Sequence, residues 1–306
     1  MVYELAVTAG ICFLSEGTYL MLKALYLDDK IKYKNLILGA LCLALAVACR
    51  PNHLLISLIF VPKLLEILIK SIKEKKNVLK FICSVGIPYL IVGILLMIYN
   101  YIRFDNVFEF GTSYQLTVND MRNLSYRLLT IPVGIVTQLF KLPVTTNEFP
   151  FFVHQNSTIP FFGYYFIQSL VCGLFVLNPI NFILLLLIKL KKKIKEKEAY
   201  DFTCILTVVA IIICIANIVL AGTLQRYSMD YAWILNIASY MTLFMIVSNI
   251  KSEDIKKYIL IFAIIITLYM LVSNFIVGAV VSEENLLEKI CPTQYYRIRY
   301  GICFWE

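Results

Sequence analysis

Nineteen residues, YNYIRFDNVFEFGTSYQLT (99–117), set Arg103, Asp105 and Glu109 among Tyr99, Tyr101, Phe104, Phe108 and Phe110. A second stretch, QRYSMDYAWIL (225–235), carries Arg226 and, four residues on, Asp230. A third cation, Arg50, stands directly before Pro51. A guanidinium is a planar fork that grips phosphate or carboxylate through parallel hydrogen bonds. No other familiar chemistry is spelled out: there is no P-loop, no glycine-rich dinucleotide turn and no zinc spacing. His53 and His154 are single and lack ligand spacing, so structural roles are expected for both. Carboxylates near the arginines leave room for a divalent metal, but no motif specifies one.

The elements that position these residues follow from composition. The chain has 306 residues, 60% hydrophobic and 16% charged, with a mean hydropathy of +0.79. A soluble domain is nearer one-quarter charged. Apolar runs of membrane-spanning length recur, so the expected fold is an all-α, polytopic transmembrane helix bundle forming one domain over 1–306. Hydrophobic segments are expected near 3–25, 36–48, 54–69, 81–99, 164–188, 202–222, 231–249 and 258–281. The net charge of +8 lies in short lysine clusters between them, which speaks for topogenic charge and against nucleic acid. The N-terminus has neither a basic n-region nor a cleavage site.

The connections alternate in character. Lysine-rich ones (28–34, 70–80, 189–198, 250–257) are expected on the cytoplasmic side; 100–163, 222–230 and 282–306 fall outside. Both 28–34 and 70–80 are basic, so an even number of crossings separates them. A single helix over 36–69 would place Arg50 at mid-bilayer, at a cost of about 2.5–3.5 kcal/mol. Two short helices with a turn at 50–53 are expected instead, since Pro51 interrupts a helix. The result is eight spans with both termini outside. All seven arginines then lie on the outer side, and 19 of the 21 lysines, all but Lys141 and Lys289, on the inner. Positive charge outside opposes the topogenic preference. The plain explanation is pairing with the outer acids Asp105, Glu109, Asp120, Glu148 and Asp230; recognition of an anionic ligand is the other. The 100–163 connection is long enough to hold interfacial helices, with Arg122 and Arg127 on one side of 121–140.

The 99–117 stretch resembles a YN-x-x-RF-x-x-x-FEFG-x-x-YQLT pattern of bacterial polytopic glycosyltransferases of the GT-C superfamily, akin to glycosyltransferase family 39 and the protein mannosyltransferases. LGALCLALAVACRPNHLL, ending at Leu55, EFPFF (148–152), GLFVLNPI (173–180) and QRYSMDYAWIL agree with that pattern in order. The resemblance implies a cell-envelope enzyme, bacterial and in the plasma membrane, that takes a sugar from a polyprenyl-phosphate donor at the extracytoplasmic face. It implies that Arg103 and Arg226, then Arg50, contact the lipid phosphate, with Asp105, Glu109 and Asp230 orienting them or binding the acceptor. The family's main catalytic acid sits in a large loop after the first span. This chain enters a span directly from Met-Val-Tyr-Glu, so it resembles the later part of such an enzyme and its catalytic residue is unassigned.

Two other classes fit parts of the pattern. A non-catalytic protein that binds or moves a lipid-linked sugar needs the same anionic headgroup site. A small-solute transporter needs polar residues at the midplane of several spans, where Glu16 and a few Asn, Ser and Thr stand. Glu16, an acid inside the first span, is a functional candidate on its own or pairs with a neighbouring helix. In CPTQYYRIRYGIC (291–303) a Cys291–Cys303 disulfide suits an oxidising compartment, and Arg297 and Arg299 are read as part of a short strand or a segment on the headgroups.

Overall fold

The computed structural model describes residues 2–28, 31–74, 77–114, 128–153, 155–161, 164–191, 197–280 and 286–303. They form two compact units, Met1–Asn123 and Leu124–Glu306. Five helical stretches are long and apolar enough to cross a membrane: Leu5–Leu27, Val78–Phe104, Lys197–Leu220, Gln225–Asn249 and Glu253–Gly278. Shorter apolar helices are Tyr33–Cys49, Ile131–Phe140 and Pro179–Leu190. The chain is thus mainly helical and has the character of an integral membrane protein, because a helix is the way an isolated apolar segment satisfies its own backbone in lipid.

In the first unit, α1 (Val2–Leu22) runs on into a π-helical turn, Lys23–Leu27. Then come α2 (Tyr33–Cys49), a 3-10 helix (Pro51–Ile59), α3 (Val61–Lys73) and α4 (Val78–Phe104). α1 and α2 pack antiparallel through glycines. A Cβ on Gly17 would stand 2.9 Å from Leu43 Cγ and 3.0 Å from the Leu43 backbone nitrogen; one on Gly39 would stand 2.9 Å from Met21 Cγ. Small residues let membrane helices approach this closely where apolar burial alone supplies no drive.

The expected turn at 50–53 is a break at one residue. α2 stops because Arg50 is extended (φ −151°, ψ 116°) ahead of Pro51, which lacks the N–H needed to continue. The chain then returns. The Lys63 ammonium lies over the Tyr26 ring at 5.2 Å, and Lys80 at the start of α4 lies over Tyr33 at 4.3 Å. The return leg differs from a simple short helix. Its nine-residue 3-10 segment rises about 2.0 Å per residue instead of 1.5 Å, so a short sequence covers more depth. α2 is also longer than the expected 36–48, at 17 residues. Within this unit the lysines Lys32, Lys63 and Lys80 gather at one end, and Arg103 stands at the far end of the 27-residue α4.

The second unit holds α5 (Ile131–Phe140), a small hairpin of β1 (Val144–Thr145) and β2 (Phe152–Val153), and β3 (Gln155–Phe161) antiparallel to β4 (Tyr164–Leu170). β5 (Thr223–Leu224) joins β4 in parallel. Three long helices follow: α6 (Lys197–Ala221), α7 (Met229–Asn249) and α8 (Glu253–Phe275). Ser252 Oγ caps α8 by accepting from Ile255 N. A short helix (Leu286–Ile290) leads to α9 (Pro292–Ile302).

Three expectations change here. Residues 164–170, expected to open a span over 164–188, are strand; helical structure begins at Leu174 and runs with breaks through a 3-10 segment, Pro179–Leu186, to Leu190. The run STIPFFGYYFIQ is aromatic and β-branched, and apolarity alone does not separate strand from helix. The tail is helical: on α9, Tyr295 packs against Phe149 at 5.7 Å and Arg299 pairs with Glu148 at 2.8 Å. Cys291 and Cys303 are free thiols at opposite ends of that helix. Eleven helical residues set them about 16 Å apart or more, far beyond disulfide reach. Cys303 Sγ instead accepts from Phe149 N at 3.2 Å.

Gly86 and Gly93 on α4 have nothing within 4 Å of an added Cβ, in contrast to Gly17 and Gly39. Gly17→Leu or Gly39→Leu is expected to destabilise the detergent-solubilised protein by about 1–3 kcal/mol. Gly86→Ala and Gly93→Ala are expected to be neutral or stabilising by about 0.4–1 kcal/mol. Thermal unfolding of the four variants checks the contrast.

Candidate functional site

The arginine end of α4 is built by a capped reversal. Asp105 adopts the left-handed conformation (φ 53°, ψ 21°), and its N–H closes the helix on Tyr101 O at 2.9 Å. Asp tolerates that geometry better than most residues. Asn106 Oδ1 then accepts from Phe108 N at 2.9 Å, while Asn100 Nδ2 donates to Val107 O at 3.2 Å. Gly111, at φ +84°, turns the chain back so that Tyr114 stacks on Phe104 at 5.3 Å.

Arg103 stands exposed on this end. Its Nη1 donates to Tyr99 Oη at 2.9 Å, and the guanidinium lies 5.0 Å from the Phe104 ring centre and 5.9 Å from that of Tyr99. Of the two roles expected of Asp105 and Glu109, orienting an arginine or binding the acceptor, the first is not seen at Arg103, which makes no ion pair among the described residues. The reasons are local. Asp105 reverses the chain, and both carboxylate oxygens of Glu109 accept from Ser113, from its N at 3.2 Å and its Oγ at 2.8 Å. A shallow apolar depression of about 310 Å³, lined by Ile94, Met97, Ile98, Tyr101 and Val107, lies on the opposite face of α4. A cation held by aromatic rings keeps its charge for an anionic ligand.

Arg50 lies at the α2 break in the same unit, half-buried, its N–H on Ala46 O at 3.0 Å. His53 is buried, with Nδ1 3.2 Å from Ala46 O and its ring against Gly10. The structural role expected for His53 follows from that packing. Arg122, Arg127, Asp120 and His154 lie outside the described residues.

In the second unit, Arg226 is exposed in a 3-10 turn, Gln225–Ser228, with its guanidinium 5.5 Å from the Tyr227 ring centre. Asp230 is only 2% exposed. Its carboxylate accepts from Asn217 Nδ2 at 3.0 Å, and the same amide donates to Tyr227 O at 3.1 Å. Asp230 is therefore built into the helix packing rather than presented at the surface for an acceptor. Gln225 Oε1 accepts from Val171 N at 3.0 Å and Cys172 N at 3.3 Å, and Gln138 Nε2 donates to Leu224 O at 3.4 Å. Gly173 lets this layer close: an added Cβ would lie 2.5 Å from the Leu139 carbonyl carbon. Lys141, at the end of α5, donates to Leu170 O at 3.1 Å, and burial lowers its pKa.

Sequence reasoning missed the residues that position Arg226: Asn217, Gln138 and Gln225. It also missed Asn178 and Asn181, which bond Asn274 and Ser239 at 2.8 Å each. Their signal was present, since single amides inside apolar runs such as IIICIANIVL need partners when buried. Among the described residues, no group of three or more His, Cys, Asp and Glu is placed to hold a metal. Asn217→Ala is expected to cost about 1–3 kcal/mol of stability by stripping a donor from a buried carboxylate, as read by thermal unfolding against Lys251→Ala.

No family model, no curated protein and no solved structure matches the chain.

Proposed function

We propose that the protein is a membrane glycosyltransferase of the GT-C type, taking a sugar from a polyprenyl-phosphate donor at the extracytoplasmic face. The observation that carries this reading is the arginine end of α4. Arg103 is exposed and without an ion pair among the described residues, bonded to Tyr99, at the end of a membrane-crossing helix. The phosphate of the donor meets this guanidinium. Arg226, likewise exposed beside a tyrosine, is the second candidate for phosphate contact and Arg50 the third, each considered within its own unit.

The topology that goes with this reading counts eight crossings: the five long helices, α2, the 51–73 return leg and the 174–190 stretch. Both termini lie outside, and the lysine end of the first unit faces the cytoplasm. The donor is a lipid-linked sugar and the acceptor lies outside the membrane.

A second reading, a non-catalytic protein that binds or moves the same lipid-linked sugar, has one specific observation in its favour. Two of the three acids nearest the arginines are already committed, Glu109 to Ser113 and Asp230 to Asn217. Only Asp105 of the three stands exposed.

Arg103→Ala is expected to weaken binding of a fluorescent polyprenyl phosphate in vesicles by about 10- to 100-fold, the worth of a charge-assisted contact. Binding of the neutral polyprenol should not change. Equal binding of the phosphate by wild type and variant contradicts the assignment. Release of free polyprenyl phosphate from the sugar-loaded donor by wild type separates the transferase from the binder.

A further inference from the structure

α3 (Val61–Lys73) buries none of its residues, and its side chains fall into three stripes. Leu64, Ile67 and Leu68 are half-buried, where the helix packs on the rest of its unit. Val61, Leu65, Ile69 and Ile72 are exposed and line up at helical spacing as one apolar edge. Lys63, Glu66, Lys70 and Lys73 form a charged stripe about a third of a turn away. The level of the helix is marked at both ends. Lys63 lies 5.2 Å over Tyr26, next to the last residue of the membrane-crossing stretch Leu5–Leu27. Just past the other end, α4 begins at Val78, and its Lys80 lies 4.3 Å over Tyr33, the first residue of α2. Both marks stand at the ends of apolar elements, so α3 starts at the membrane boundary and α4 enters from that boundary directly after it. The lengths agree: the 17 residues of α2 cover about 25 Å outward, and the 3-10 segment with residues 60–63 covers about 24 Å back.

We propose that α3 lies along the bilayer surface at the lysine end of its unit, with its apolar edge among the acyl chains and Lys70 and Lys73 on anionic phospholipid headgroups. A helix with an apolar edge, a lysine-bearing polar stripe and modest overall apolarity rests in the interface, whereas a spanning helix would carry Lys63, Glu66 and Lys70 into hydrocarbon. Glu66 pairs with Lys63 at 3.2 Å, so within α3 the surplus charge is that of Lys70 and Lys73. The apolar edge and the charged stripe run side by side along the helix. Whatever covers the first must therefore meet the second with water or negative charge, and a leaflet with anionic headgroups supplies both. The second unit lacks that complement, because its connections expected on the same side, 189–198 and 250–257, are themselves lysine-rich. A second copy would set the same lysines against one another. The crossing of the return leg is then complete by Lys63, and this placement requires no transfer activity.

Photocrosslinking reads directly what covers the apolar edge. Ile69 is replaced by p-benzoylphenylalanine, the full chain is reconstituted in vesicles of phosphatidylcholine and phosphatidylglycerol, and the adducts formed on illumination are identified by mass spectrometry. Ile69 is exposed, so a larger side chain there leaves the packing of the unit intact. The expected product is the α3 peptide carrying a phospholipid, with phosphatidylglycerol enriched about 3- to 10-fold over its share of the vesicle. Lys70→Gln with Lys73→Gln should return that ratio to the share while lipid adducts persist. Linkage of position 69 to a peptide from residues 124–306, linkage to a second chain, or no adduct would overturn the surface placement. Adducts in proportion to lipid composition, or an enrichment that survives the double substitution, would overturn the headgroup contact.

Discussion

The reversal at Arg50–Pro51 is the constraint on which the rest depends. In the proposed topology, had α2 continued, Arg50 would lie at mid-bilayer and every later element would be inverted relative to the lysine clusters. Proline removes the one N–H that would carry the helix onward, and Arg50 leaves the helical conformation in response. In the proposed eight-span topology few residues of this leg must cover much of the membrane, and its 3-10 geometry rises further per residue, at the expense of weaker hydrogen-bond alignment. From that leg follow the placement of Lys63 by Tyr26 and of Lys80 by Tyr33, and so the direction of α4.

Much of the first unit was legible in the sequence because its signals are strong and local. Long apolar runs, one proline after an arginine, and lysines at the ends of runs allow few arrangements. The separation of lysine from arginine, read from charge alone, recurs in the first unit as two ends of one helix bundle. The second unit was less legible. STIPFFGYYFIQ reads equally as strand or buried helix, and the choice was made by pairing of β4 with its neighbour β3 and with β5, which is distant in sequence. The role of Asp230 was hidden for the same reason. Its donor, Asn217, lies on a different helix, so its composition gave no hint of the contact.

The candidate site was legible in its residue types and not in its geometry. Asp105 and Glu109 were expected to orient an arginine or to bind the acceptor. The chain uses the first to end a helix and the second to brace a turn, and gives the Arg103 guanidinium an aromatic setting instead. An arginine bound by rings keeps its charge available, whereas one bound by a carboxylate is largely neutralised, and the difference matters for capture of an anionic headgroup.

Sidedness joins these observations, because a phosphate site at the arginine end has meaning for an extracytoplasmic transferase only if that end faces out. The direct measurement is labelling of Asp105→Cys and Lys73→Cys with a membrane-impermeant maleimide in intact cells, each labelled peptide identified by mass spectrometry. The account requires position 105 to react in intact cells and position 73 to react only after the membrane is opened. Reaction at 73 with protection at 105, or reaction of both from one side, contradicts it.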